Sequence, residues 1–273
     1  MSTRKAALRR SAASLPFVLV FISSLALAAL LLNACGSTVT VIRVVTATGR
    51  PTTPTPTPVI TCSGAFIQAH PNLPPSEAQQ LLNICTADKP SFADPLAGQD
   101  ANTWEYFQVP NATSCFFRDN GYHAIAEQKN YVALCFEHAQ TFSNFVFEAE
   151  MQVIAGNGGG LIFRQNGTDY TAPQYRFRVG VDQTYDVTEY LHGQGTGHRI
   201  VTGKNSAIDK GVGASNLLSV LAFGPNIYVF ANGVYIASLT NTTSPTGVLG
   251  FFAADYSAPT DVAFSNMDVW NLS

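Results

Sequence analysis

Charge is scarce in this 273-residue chain, where Asp, Glu, Lys and Arg together make up 12% against 11% for aromatics. That balance points to a β-rich extracellular domain and away from a helical cytosolic enzyme. Positive charge is scarcest of all. Four basic residues fall in the first 34 positions, which leaves 11 Lys and Arg against 18 Asp and Glu, a formal −7, from Cys35 onward. A nucleic-acid partner needs clustered cations to neutralise phosphates, so that class is excluded. No C-x-x-C occurs among the five cysteines, which excludes a zinc ribbon and a thioredoxin-like site. The histidines, His70, His123, His138, His192 and His198, show no H-E-x-x-H spacing. No G-x-S-x-G elbow supports a serine nucleophile. The glycine-rich stretch between His192 and His198 reads as a turn, since no helix follows to make it a phosphate loop.

What is present begins with an address. Arg4, Lys5, Arg9 and Arg10 precede a nearly unbroken apolar run over residues 15–32, the order of a secretory signal. Leu32, Ala34 and Cys35 resemble the bacterial lipobox, which implies a cleaved 34-residue signal, a lipid anchor at Cys35 and a place on the outer face of the cytoplasmic membrane or the cell surface. The same run is long enough to stay as an uncleaved signal anchor. Residues 35–61 are rich in Thr, Val and Pro and end in an alternating Thr-Pro tract. Such a tract favours the extended polyproline conformation at roughly 3 Å per residue, a stalk. Asn111, Asn166 and Asn241 sit in N-x-S/T sequons, which mark surface loops.

Cys62, Cys85, Cys115 and Cys135 form an even set that an oxidising compartment turns into disulfides. Three connectivities are open, and the local one, Cys62–Cys85 with Cys115–Cys135, is the expectation. Each would close a loop of about 20 residues, worth roughly 3 kcal/mol. Within residues 62–91, Ser76 and Gln79 form a capping-box pattern that predicts one helix over 76–84. From about residue 92 the period changes to two. Phe145, Phe147, Ala149, Met151 and Val153 alternate with Glu148, Glu150 and Gln152, and further strands are predicted over 161–164, 175–179, 185–191, 217–223, 227–231, 234–239, 248–254 and 262–270. Asn232-Gly233 is a hairpin turn signal. So many short strands require two packed sheets or a barrel.

The stretches 142–151, 159–164, 175–177, 227–233, 247–250 and 262–266 together resemble the concanavalin A-like jelly-roll superfamily, in particular laminin-G-like modules and domains associated with 3-keto-disaccharide hydrolases. The resemblance covers residues 92–273 and implies an all-β, two-sheet antiparallel jelly-roll sandwich, here with a short N-terminal helical segment. It also implies a range of activities, from lectin to glycosidase to inert spacer.

Glu148 and Glu150 point the same way from one strand and are the candidate acid/base pair, because jelly-roll glycosidases place acidic residues at period two. Gln152 stands where a third acid is expected. Arg164, Arg176 and Arg178 are expected on the same polar face, able to grip sugar hydroxyls or carboxylates or to form an ion-pair ladder with the glutamates. Tyr170, Tyr185, Tyr190 and Tyr256 are candidate aromatic platforms, with Tyr185 grouped among the ligand-binding residues. Trp104 and Trp270 read as core or seam residues. Asp94, Asp100 and Asp268 have the chemistry for a structural calcium, though no cofactor is required. The function expected is non-catalytic binding of a polysaccharide or surface protein by a tethered module. A glycoside or 3-keto-glycoside hydrolase, and a spacer or sensory ectodomain, are the alternatives.

Overall fold

The computed structural model describes residues 59–98, 103–167, 169–193, 196–254 and 256–273. The signal segment, Cys35, residues 35–58 of the stalk and Asp100 lie outside them. Among the described residues no helix is long and apolar enough to cross a membrane.

Two helices come first, α1 (Gly64–Ala69) and α2 (Pro75–Cys85). The α2 helix falls where periodicity places it, but Ser76 does not cap it. Pro74 is the N-cap and Pro75 takes the first turn, a position where the missing N–H costs nothing, so the capping-box pattern is coincidental. The α1 helix has too few apolar residues to announce itself; Ser63 caps it by accepting a hydrogen bond from the Phe66 amide at 3.3 Å.

Fifteen strands follow among the described residues: β1 (Phe92–Asp94), β2 (Phe107–Gln108), β3 (Thr113–Arg118), β4 (Gly121–Ala126), β5 (Val132–Phe136), β6 (Phe145–Ala155), β7 (Gly158–Gln165), β8 (Gln174–Gly180), β9 (Thr184–Tyr190), β10 (His198–Lys204), β11 (Ser215–Phe223), β12 (Asn226–Ala231), β13 (Val234–Thr240), β14 (Val248–Ala254) and β15 (Thr260–Asn271). They form a nine-stranded sheet, ordered β13-β12-β11-β6-β15-β4-β3-β2 with β1 also on β15, and a six-stranded sheet ordered β10-β9-β8-β7-β14-β5. The pairings among the described strands are antiparallel throughout, so the domain is an all-β sandwich.

The inner faces hold the main core. Phe145, Phe147, Met151, Val220 and Phe264 on the larger sheet meet Leu161, Phe163, Tyr175, Phe177 and Phe251 on the smaller one. Phe251 is central, stacked on Phe264 at 4.2 Å and on Trp104 at 5.1 Å. Trp104 is therefore a core residue, while Trp270 lies at a seam, its indole N–H donating to the Asp88 carbonyl at 2.7 Å.

Both expected disulfides are formed. Cys115–Cys135 joins β3 of the larger sheet to β5 of the smaller, and Cys62–Cys85 ties the chain entering α1 to the end of α2. The helical pair covers one end of the larger sheet's outer face, burying Phe66, Ile67, Leu81 and Leu82 against Val146, Leu221, Tyr228 and Phe230. Tyr228 Oη donates to the carbonyls of His70 and Pro71 there.

Arg164 supplies a second link between the sheets. A bulge in β7 opposite β14 gives it φ 53°, which turns its side chain inward against the alternation. Fully buried, it donates to the Ser143 carbonyl ahead of β6 and, at 2.8 Å, to the Gly224 carbonyl of the β11–β12 turn. Arg164→Met strands those carbonyls in an apolar site and is expected to lower stability by about 3 kcal/mol, or about 6–12 °C in Tm for a domain of this size. Thermal melts check this, and an unchanged melt would dismiss the clamp.

Candidate functional site

The residues singled out by sequence divide between two outer faces. Glu148 and Glu150 lie side by side on the outer face of the nine-stranded sheet, as alternation requires. Arg176 and Arg178 lie on the other sheet, so the expected joint Glu/Arg face does not exist. The cause is the connection after Ala155. The chain turns at Gly156 and Asn157 and enters β7 in the opposite sheet rather than forming a hairpin beside β6. Arg164 is absent from either outer face, being buried as the inter-sheet clamp. Tyr185 packs on the core side of β9, opposite in direction to Asp186, and is not part of an outer surface site.

On the larger sheet, Glu148 stands between Ser219 of β11 and Asp268 of β15. Ser219 Oγ donates to Glu148 Oε1 at 2.7 Å. Desolvation pushes the Glu148 carboxyl above its ordinary value, against the lowering effect of the Ser219 hydrogen bond and with a smaller push from the Asp268 charge. Burial raises Asp268 as well. Glu150 opens onto a depression shared with Gln152, Ser215 and Ser265, whose one ring, Phe264, is buried in the core. Among its described lining residues this depression therefore offers a carboxylate beside serines and no exposed ring.

The six-stranded sheet has a different outer face. A cleft there is lined by Arg176 and Arg178 of β8, Asp186, Thr188 and Tyr190 of β9, Phe252 of β14, and Tyr256. The registers align these positions across the strands. Gly160 sits between Phe252 and Arg178, and Arg178 faces Asp186. Gly160 is required by the close approach of β7 and β8, since a Cβ there would strike the Phe177 carbonyl. Its missing side chain leaves the centre of the face low.

Two cations stack on two rings. The Arg176 guanidinium lies 3.8 Å from the Tyr190 ring centre and that of Arg178 lies 5.4 Å from Tyr256. Asp186 Oδ2 is 3.2 Å from Arg178 Nε, and Arg199 approaches Asp186 Oδ1 at 3.7 Å from β10. Arg178 Nε is buried and not aligned to donate to that carboxylate, so the pair is close in charge without forming a hydrogen bond. Asp186 Oδ1 accepts instead from Thr188 Oγ1 at 2.8 Å. Tyr256 remains 48% exposed, enough for one face of its ring to meet a ligand. The void at the bottom measures ≈ 10 Å³, room for about one water. A ligand must therefore lie across the cleft rather than sink into it.

Sequence reading named Arg176, Arg178, Tyr190 and Tyr256 but missed Asp186, Thr188 and Arg199. A signal existed, because Asp186, Thr188 and Tyr190 alternate on a predicted strand. What it lacked was the pairing of that strand with β8. Tyr170, 75% exposed, stands in the loop whose carbonyls bind Gln165 and Gln174.

Of the candidate calcium ligands, Asp94 and Asp268 line one shallow depression with Asn266. Both Asp94 oxygens are already engaged, by the Leu96 amide at 2.7 Å and Trp104 Nε1 at 2.8 Å. Among the described residues no group of three or more His, Cys, Asp or Glu is placed to hold a metal ion.

Glu148 makes stability depend on pH. Because its folded carboxyl holds its proton more tightly than the unfolded one, folding loses stability as pH rises from about 4.3, the ordinary Glu value, through the raised value. Glu148→Gln keeps the neutral shape, so it is expected to melt about 2–4 °C above the unsubstituted chain at pH 7, with the gain gone at pH 4. A variant that melts lower at pH 7 contradicts this.

No family model matches the chain, and no curated protein matches it. Among solved structures it is similar to a carbohydrate-binding module, CBM66, from Bacillus subtilis, at 15% identity over 64% of this chain and 99% of that one, with a TM-score of 0.52. It is also similar to a Bacillus subtilis protein of unknown function with a galectin-like fold, at 12% identity over 67% and 96%, TM-score 0.53. The catalytic domain of an endo-1,3-β-glucanase (laminarinase) from Thermotoga petrophila matches at 9% identity over 66% and 96%, TM-score 0.48. Identities this low establish fold alone, a two-sheet antiparallel β-sandwich like those of the carbohydrate-binding module and the galectin-like protein.

Proposed function

We propose that the protein is a non-catalytic carbohydrate-binding module held outside the cytoplasmic membrane by its N-terminus, with the cleft on the six-stranded sheet as the sugar site. The observation that carries this reading is the Arg176–Tyr190 and Arg178–Tyr256 stacks around Asp186. Sugars bind through ring faces laid on aromatics and hydroxyls bonded to planar charged groups, and this cleft supplies both. The similarity in fold to a carbohydrate-binding module supports the same reading. Formation of two disulfides fits an oxidising compartment. The lipobox-like segment fits a lipid anchor at Cys35, and the Thr/Pro tract fits a stalk that lifts the cleft off the membrane.

One observation favours the hydrolase alternative: Glu148 has the raised carboxyl of a general acid, with Asp268 as a neighbouring carboxylate. Its cross-strand partners are Ser219 and Asp268, neither of them a ring that could seat a sugar, and for that reason the binding reading is preferred.

The test is a glycan array followed by calorimetry with the full chain in detergent. Tyr256→Ala and Arg178→Ala are each expected to weaken binding of the captured glycan about tenfold, equivalent to about 1.4 kcal/mol, while Glu148→Gln leaves it unchanged and no sugar product accumulates. Turnover abolished by Glu148→Gln would install the hydrolase reading instead. For the anchor, Cys35→Ser is expected to abolish incorporation of labelled fatty acid; incorporation that persists overturns lipidation at Cys35.

A further inference from the structure

The cleft on the six-stranded sheet contains a cation without a counter-ion among the described residues. Arg176 is 7% exposed, its Nε donates to Gln174 Oε1 at 3.1 Å, and its guanidinium is held over Tyr190 and, at 5.8 Å, Phe252. Among the described residues no carboxylate pairs with it and no acceptor bonds its terminal nitrogens. Burying an isolated cation is costly, and a stacked ring recovers only part of that cost. Consistent with that imbalance, burial lowers the affinity of Arg176 for its proton.

The local charge is also at odds with the rest of the chain. Arg176, Arg178 and, at the edge, Arg199 face one described carboxylate in the lining, Asp186, which already serves Arg178, Arg199 and Thr188. From Cys35 onward the chain has a formal charge of −7. A general basic surface therefore does not explain three arginines gathered here. A planar guanidinium with one edge engaged by Gln174 offers its other edge to a planar, two-oxygen anion, and this fork geometry suits a carboxylate.

We propose that the cleft selects a carboxylate-bearing sugar, a uronic acid unit of an acidic polysaccharide, whose carboxylate takes the free edge of Arg176. The inference rests on the carbohydrate-binding reading above and names its ligand class. Only the carboxylate tip descends to the floor of the cleft, where the void has room for about one water. The sugar ring stays on the rim, against the exposed face of Tyr256.

The test is calorimetry of the full chain in detergent with galacturonate, glucuronate and mannuronate oligosaccharides. Their methyl esters, a neutral glucan and a sulfated galactan serve as comparisons. At least one uronate is expected to bind ten times or more tighter than its own ester, and added salt should narrow that gap. Arg176→Gln should bring acid and ester to the same affinity, Arg176→Lys should keep part of the preference, and Tyr256→Ala should weaken both forms equally. Unchanged thermal melts are required of each variant; if Arg176→Gln does not fold, the acid-to-ester ratio of the unsubstituted chain and of Arg176→Lys decides the matter. Equal binding of acid and ester, or tighter binding of the sulfated galactan, overturns the carboxylate assignment and leaves carbohydrate binding standing. Binding of none of these sugars overturns the uronate assignment, and only a glycan array with no captured glycan overturns the carbohydrate reading as well.

Discussion

The structure depends on the contact between two inner sheet faces. Phe251 from the six-stranded sheet stacks on Phe264 from the nine-stranded one, with Phe147 and Trp104 around it. Once these faces are sealed, period-two alternation leaves each strand only one other direction in which to present a side chain. Any chemistry must then occur on an outer face or in a loop. The Cys115–Cys135 bridge and the buried Arg164 clamp hold the same contact from its margins.

The two outer faces have been put to different uses. On the larger sheet, α1 and α2 cover one end with apolar side chains, and the open remainder bears Glu148, Glu150 and Asp268 beside serines. On the smaller sheet, Phe136, Ile162, Phe252 and Ala254 form an apolar strip. Arginine stems lie beside it, and long side chains of this kind can cover apolar surface while their charged ends face water. The ends of Arg176 and Arg178 are held in place by rings, by Gln174 and by the charge of Asp186. That arrangement distinguishes this cleft from the surroundings of Glu148 and Glu150, which face the hydroxyls of Ser219 and Ser265.

Much of the fold was legible in the residues. Val248–Ala254 is the strand that alternation and flanking turns indicate, and Asn232 and Gly233 both take positive φ in the hairpin their identities suggest. The disulfides are the local choice among the three connectivities that four cysteines leave open. The strand β10 was missed because His198–Lys204 is largely exposed and carries no apolar alternation. The candidate site is half legible: Arg176, Arg178, Tyr190 and Tyr256 can be named, but the Tyr185 ring packs against the core, and Asp186 joins the cleft only through the pairing of β9 with β8.

What the sequence by itself determined was the alternation within each strand, the turns between strands and the cysteine set, because these are local properties of spacing and backbone preference. It also determined a basic-then-apolar N-terminus and an acidic remainder. Only the tertiary structure decided which sheet each strand joined. A two-residue connection at Gly156 and Asn157 can close a hairpin or cross to the opposite sheet, and the crossing separates Glu148 from Arg176. Likewise a single bulge at Arg164 reverses a side chain that alternation directs outward, turning a candidate ligand-binding arginine into a buried clamp. Both outcomes depend on long-range burial, which no local pattern encodes.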